Sequence, residues 1–180
     1  MPDMTLLTAW KEISRKTLLF KYGRGIDQVV FELPDGQERE YYLKKENDTV
    51  AILALTPDKQ VLLARQYRPG PNKIIDEIPG GALDENESAQ AAAERELLEE
   101  TGYTGEVKVV AKFEDDAYSS QIRYVAVAIN CQKIGEPHQT ASEQIELVQK
   151  SLPDFRRQLK TGHLTDCANA YLALDYLGLL

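Results

Sequence analysis

Glu96, Glu99 and Glu100 crowd the end of the stretch GGALDENESAQAAAERELLEETGY, which runs from Gly80 to Tyr103. On a helix, spacings of three and four put these carboxylates on one side. Like charges so placed destabilise an isolated helix by roughly 0.2–0.5 kcal/mol per pair. Glu99 and Glu100 also fall near the C-terminal end, where the helix dipole disfavours anions. Either the run is a solvated face, or the carboxylates hold a cation. Mg²⁺ and Mn²⁺ take oxygen ligands, and Mg²⁺ typically binds through one or two carboxylates plus substrate phosphates. Gly80-Gly81 would let a backbone carbonyl approach such an ion without side-chain obstruction. Arg95 could fix one of the glutamates by a charge-assisted hydrogen bond.

The rest of the composition narrows the substrate. The chain has 180 residues, 43% hydrophobic and 28% charged, which is enough for a folded core and argues against disorder. A formal net charge of -8 argues against nucleic acid or an anionic membrane as partner, since both call for basic patches. A small anionic substrate stays open if a metal screens the repulsion. The opening MPDMTLLTAWKEIS has no basic segment leading into an apolar one, so no secretory signal is expected, and no apolar run is long enough to span a bilayer. Cys131 and Cys167 lie far apart and fit neither a metal spacing nor a disulfide framework. They are expected to pack as small hydrophobes in a reducing cytoplasm.

The glutamates need a scaffold, and the pattern supplies one. Strands are expected at 17–22, 28–33 and 38–43, the last two joined by the turn Pro34-Asp35-Gly36. Further strands are expected at 49–56 and 61–67, flanking Pro57-Asp58-Lys59 as a hairpin, and at 74–78, stopped by Pro79-Gly80-Gly81. Ser88 is a candidate N-cap for a helix over 88–100, which Gly102 would close in a left-handed conformation. Strands at 106–113, 122–130 and 145–149 follow, then helices at 153–160 and 165–179, the second with Ala168, Tyr171, Leu172 and Leu179 among its apolar positions. This order reads as an α+β or mixed-sheet sandwich preceded by a β-rich arm. The expected division is an arm over 1–48 and a main domain over 49–180. The arm is too small to bury a core of its own, so it should pack on the main domain or on a partner subunit.

The pattern Gly81-x5-Glu87-x7-Arg95-Glu96-Leu97-x-Glu99-Glu100-x-Gly102-Tyr103 resembles the Nudix box at every defined position. Glu94 belongs to no defined position. The resemblance implies an α/β/α sandwich that hydrolyses a nucleoside diphosphate linked to another moiety with Mg²⁺, or Mn²⁺ in its place. It further implies that Glu96, Glu100, Glu99 and the Gly80 carbonyl hold the metal, that Glu99 could act as base, and that Arg95 and Glu87 orient these groups.

The flanks, LLARQYRPG followed by DEIPGGALDENES, and the tail LKTGHLTDCANAYLALDYL are similar to the branch of that family that cleaves ADP-ribose, ADP-glucose or GDP-mannose type sugars to a nucleoside monophosphate and a sugar phosphate. In that branch the arm pairs two subunits, so a homodimer is expected. Arg65, Arg68 and Glu77 are candidate substrate contacts, and Trp10 and Tyr22 candidates for base stacking, with packing as the competing role for the two aromatics. Glu143 is the expected late metal ligand or general base, with Glu146 the weaker candidate. Where the branch has a Ser-Pro-Gly segment this chain has DDAYSSQIRY, with Tyr118 near the expected proline and Asp115 and Asp116 beside it. Tyr118 keeps a dinucleoside polyphosphate hydrolase as the alternative. A non-catalytic ADP-ribose-sensing domain is the other alternative, although such domains usually lose box glutamates that this chain keeps. Damaged nucleoside triphosphates fit less well, since they would not need the arm. His138 and His163 have no partner at recognisable spacing and read as surface residues.

Overall fold

A computed structural model describes residues 7–138 and 144–180. Among these residues the chain forms β1 (Lys11–Lys21), β2 (Arg24–Glu32), β3 (Glu38–Glu46), β4 (Thr49–Leu55), β5 (Gln60–Arg68), β6 (Lys73–Glu77), β7 (Gly80–Ala82), α1 (Ala89–Thr101), β8 (Tyr103–Glu114), β9 (Ile122–Lys133), β10 (Glu146–Ser151), α2 (Leu152–Thr161) and α3 (Cys167–Tyr176). Two compact units result: one runs up to Asn47 and takes in Glu114–Gln121, and the other holds Asp48–Phe113 with Ile122–Leu180.

The first unit is an antiparallel three-stranded sheet in the order β1-β2-β3. Tyr22, at φ 55°, and Gly23, at φ 73°, turn β1 into β2, which suits the left-handed demands of a tight hairpin. The segment around Tyr118 joins this unit: Lys44 donates its amide to the Tyr118 carbonyl at 2.8 Å. Its ammonium reaches Asp115 at 3.2 Å and Asp116 at 2.5 Å.

The second unit is built on a mixed sheet in the order β10-β5-β4-β9-β8, with β6 paired to β5 and β7 to β4. β4 runs parallel to β9 and antiparallel to β5 and β7. The alternation along β4 makes the layers. Val50, Ile52 and Ala54 bury against Ala92, Ala93 and Leu97 of α1, while Ala51, Leu53 and Leu55 face the cluster containing Phe155 and Leu159 of α2 and Ala170 and Leu174 of α3. A strand covered on both faces reads as an unbroken apolar run, as TVAILAL does. The outcome is an α/β/α sandwich with a separate antiparallel sheet, in line with the fold expected from the sequence. Leu97 is fully buried in the α1 layer; truncation to alanine there would cost about 2–5 kcal/mol.

Two local expectations change. Gly80 and Gly81, read with Pro79 as a strand stop, belong to β7, because the backbone of β4 offers Val50 and Ala51 as partners to Gly81 and Gly80. The hairpin of β4 and β5 pairs only Ala54 with Leu62 and Leu55 with Val61, since β7 takes the same edge of β4 at Thr49–Ala51 while β9 pairs along the other edge. In α3 the buried face is Asn169, Ala170, Ala173 and Leu174, while Tyr171 and Leu172 are exposed. Ala170, Ala173 and Leu174, at i, i+3 and i+4, are the set that packs in the core, with Leu179 against it. Cys131 is buried in the α1 layer and burial pushes its thiol up to about 11; Cys167 is half-buried against the other layer, and burial raises its thiol as well. Both are free thiols. No helix among the described residues is long and apolar enough to cross a membrane.

Candidate active site

Helix α1 starts where its sequence says it should. Ser88 is extended, and its hydroxyl accepts the Ala91 amide at 3.2 Å. At the other end Gly102, at φ 73°, donates its amide to the Leu98 carbonyl at 2.8 Å. The helix end carrying Glu96, Glu99 and Glu100 is thereby fixed beside β7 and β5.

Glu100 is buried at the end of this helix. The Gly80 amide donates to its Oε2 at 2.8 Å, and Gln66 Nε2 donates to its Oε1 at 3.3 Å. Burial pushes the carboxyl up to about 8 and the nearby Glu96 adds to the shift, while the Gly80 amide, Arg68 and Gln66 pull against it. A carboxylate enclosed in this way, with Arg68 nearby but no ion pair among the described residues, has the electrostatic signature of a place for a cation.

Arg95 organises the other acids. Its Nε and Nη2 grip Glu87 through both carboxylate oxygens at 2.9 Å each, and Nη2 also donates to the Ala82 carbonyl at 3.1 Å. Nη1 donates to Glu96 at 2.7 Å and to Glu99 at 3.2 Å. The guanidinium and the Asp84 amide hold Glu87 well below its ordinary range, at about 2. Glu96 is accommodated because residue 81 is glycine: a Cβ there would stand 2.2 Å from Glu96 Oε1. Glu94 stays out of this network, exposed and hydrogen-bonded to Gln90 at 2.6 Å.

Among the described residues no three acidic, imidazole or thiol side chains converge on one point; Glu96 and Glu99 are both engaged by Arg95. The donor set nevertheless suits a hard divalent cation. Mg²⁺ typically needs only one or two carboxylates beside waters and substrate oxygens, and Glu100, buried near Glu96 with no ion pair among the described residues, supplies that chemistry.

A family model described as the NUDIX domain matches residues 45–161, well over half of the chain. The chain belongs to the Nudix family. The ADP-ribose pyrophosphatase of Bacillus subtilis (strain 168) is 29% identical over 94% of this chain and 95% of its own length. The methanol dehydrogenase activator of Bacillus methanolicus is also 29% identical, over 86% of this chain and 83% of that protein. The crystal structure of an ADP compounds hydrolase matches with a TM-score of 0.78 at 20% identity, over 97% of this chain and 99% of that one, a likeness of fold. With the family and the box together, the protein is a Nudix pyrophosphatase, a hydrolase of phosphorus-containing anhydrides.

The remaining candidates separate by face. In this Nudix chain Gln66 and Arg68 lie two apart on β5 and share the face toward Glu100. Arg68 Nε donates to Glu77 at 2.5 Å, and Glu77 is fully buried. Arg65 lies on the opposite face. There it grips Asp76 at 2.6 and 3.2 Å, reaches the exposed Glu146 at 3.5 Å, and lines a hollow of about 370 Å³ with Lys73, Lys150, Gln158 and His163. The structure therefore brings Arg68 toward Glu100, ties Glu77 to Arg68, and leaves Arg65 on the other face. Tyr118 and Trp10 belong to the other unit, where both rings pack against Tyr41, at 6.5 and 5.4 Å between centroids; Tyr22 is exposed at its hairpin turn. Asp115 and Asp116 pair with Lys44. His138 donates its amide to the Glu99 carbonyl at 2.6 Å. Glu143 lies outside the described residues.

Gln66 and Thr165 were not singled out by sequence, although both touch the site's acids. The available signal for Gln66 was a polar residue at alternate spacing from Arg68 in an apolar strand. Thr165 had no comparable signal.

Proposed function

We propose that this enzyme hydrolyses the diphosphate bond of nucleoside diphosphate sugars of the ADP-ribose, ADP-glucose or GDP-mannose type, giving a nucleoside monophosphate and a sugar phosphate. The observation that carries the proposal is Glu100, buried between the Gly80 amide and Gln66 with no ion pair among the described residues and with Arg68 nearby. The name of the B. subtilis relative, similar along nearly the whole chain, supports the substrate class.

Glu96, Glu100, Glu99 and the Gly80 carbonyl would hold Mg²⁺, or Mn²⁺ in its place, with Arg95 and Glu87 orienting them. When bound, the metal would neutralise phosphate charge and lower the pKa of the attacking water. Water oxygen forms a bond to one phosphorus, the bridging P–O bond breaks, and the proton passes to a carboxylate, Glu143 or Glu99. Arg68 takes phosphate oxygens.

The arm, residues 1–48, is assigned to dimerisation and the substrate site, and 49–180 to hydrolysis. Its first strand supports a homodimer: every residue of β1 is exposed within a single chain, including Ile13, Leu18, Leu19 and Phe20. The assigned setting is cytoplasmic. A dinucleoside polyphosphate is the second reading, favoured by the exposed Tyr118 ring stacked near Tyr41, a surface suited to a second base.

The test is a phosphate-release screen with Mg²⁺, coupling a phosphatase to a panel of nucleotide sugars and dinucleoside polyphosphates. Turnover of nucleotide sugars is expected to lead. Turnover confined to dinucleoside polyphosphates would select the second reading, and none on either class would remove both.

A further inference from the structure

Glu77 is a carboxylate with no exposed surface, on β6. Such a charge is tolerated only when its oxygens are met by donors. One oxygen, Oε2, accepts from Arg68 Nε at 2.5 Å. The other, Oε1, accepts from the hydroxyl of Thr165, in the turn just ahead of α3. Thr165 also lies 3.1 Å from Asp166, but a hydroxyl has one proton to give, and the closer acceptor is Glu77.

This division of labour has a consequence for Arg68. Because Thr165 satisfies Oε1, Glu77 needs only the Nε of Arg68. Nη1 and Nη2 make no hydrogen bond among the described residues, and the Arg68 side chain is 36% exposed. It is therefore tethered at one edge with its fork open, on the same face of β5 from which Gln66 reaches Glu100. An open fork is the geometry that takes two oxygens of a phosphate.

We propose that Thr165 is a positioning residue for diphosphate binding: it holds Glu77 in a one-point contact with Arg68 and so keeps both terminal nitrogens of Arg68 available to the substrate. Without the hydroxyl, Glu77 Oε1 is left without a donor in a place water does not reach. The carboxylate then turns to take a second N–H from Arg68, and the fork closes onto the protein. The inference rests on the diphosphate hydrolysis proposed above but not on which sugar or base flanks the bond.

The experiment compares wild type, Thr165→Val, Thr165→Ala and Thr165→Ser. Calorimetry measures Kd for imidodiphosphate with Mg²⁺ and for Mn²⁺ alone; kinetics follow with the best substrate of the panel. Loss of a hydrogen bond to a charged group predicts that Val and Ala weaken imidodiphosphate binding and raise KM by about 10-fold or more. kcat should change less than about threefold and Mn²⁺ affinity should stay level, because the box glutamates are untouched. Serine should restore wild-type Kd and KM. The side-chain Nε–H signal of Arg68 should shift in Val and Ala and return in Ser. In an Arg68→Lys background the Thr165→Val substitution should have no further effect on Kd. Wild-type Kd in both Val and Ala, failure of serine to rescue, or effects that add in the double variant would overturn the assignment. If wild type cleaves no nucleotide sugar, the substrate reading fails, while the imidodiphosphate measurements still decide the role of Thr165.

Discussion

Gly81 leaves open the space that the Glu96 carboxylate occupies, for a Cβ at residue 81 would lie 2.2 Å from Glu96 Oε1. The obstructing atom is the end of a flexible side chain, so Gly81→Ala should move Glu96 rather than the backbone. Gly80 differs: a Cβ there would stand 2.2 Å from the Val50 carbonyl oxygen and 2.8 Å from the Ala51 Cα, both backbone atoms of β4. Gly81→Ala is therefore expected to keep a Tm near wild type and lose at least about 10-fold in kcat. Gly80→Ala should lower Tm through displaced pairing of β7 with β4. Thermal denaturation and kinetics on both variants check this. Equal stability loss in the two would mean that Gly81 serves packing alone.

Glu100 gives a pH-dependent prediction. Its carboxyl is raised from 4.5 to about 8 in the folded protein, first by burial. A raised folded pKa means that its contribution to stability is fully present below about 4.5 and lost as pH rises through about 8. Glutamine is uncharged throughout and suffers no such loss. Metal-free Glu100→Gln should accordingly melt several degrees above wild type at pH 8.5, roughly 2–4 °C per kcal/mol for a chain of this size, with the advantage gone near pH 5. Added Mg²⁺ should raise the wild-type Tm by mass action and leave the variant unmoved, and turnover in the variant should vanish. Melting curves in chelator and in Mg²⁺ at both pH values settle it. A variant no more stable than wild type at pH 8.5 would contradict the buried-charge account.

The box was legible in the sequence because its chemistry is local. Ser88, Arg95, Glu96, Glu100 and Gly102 belong to one helix and its caps, and helical spacing alone aligns them. What the sequence concealed depends on strands distant in the chain. Arg65 and Arg68 stand in the same phrase, LLARQYRPG, and differ only in which face of β5 they occupy; that matters once α1 covers one face and α2 the other. β7 was hidden because two glycines signal a turn unless a neighbouring strand supplies pairing. Thr165 acquires meaning only when β6 and the turn ahead of α3 meet at Glu77. Tyr171 and Leu172 are apolar yet exposed, because apolar character alone does not state which side of a helix packs.

Arg95 holds Glu87, Glu96, Glu99 and the Ala82 carbonyl from one planar group. Lysine keeps the charge but presents a point rather than a fork. Arg95→Lys should lower kcat by roughly 10- to 100-fold, an estimate from one or two lost charge-assisted hydrogen bonds. It should also change acid stability. Glu87 is depressed from 4.5 to about 2, chiefly by Arg95, so its contribution is present above about 4.5 and lost as pH falls through about 2. With the grip weakened, Glu87 moves back toward its ordinary range and the variant should unfold at a higher pH than wild type in acid titration. Coincident acid transitions would show that the Arg95–Glu87 pair does not stabilise the fold.

The arm makes the last prediction. β1 is exposed along its whole length and carries Leu18, Leu19 and Phe20 in sequence, each more than two-fifths exposed. On a working homodimer these side chains lie in the interface, where a charge would be costly to bury. Leu19→Glu should shift light-scattering mass from dimer to monomer at micromolar concentration and raise KM if both subunits build the site. Deletion of residues 1–45 should do the same more severely. Because the carboxylates on α1 lie wholly in the second unit, Mn²⁺ affinity in Leu19→Glu should stay level, which separates loss of the partner from loss of the metal site. A monomeric Leu19→Glu with wild-type KM would leave the dimer as an assembly without a part in catalysis, and a wild type that is already monomeric would remove the arm's proposed role.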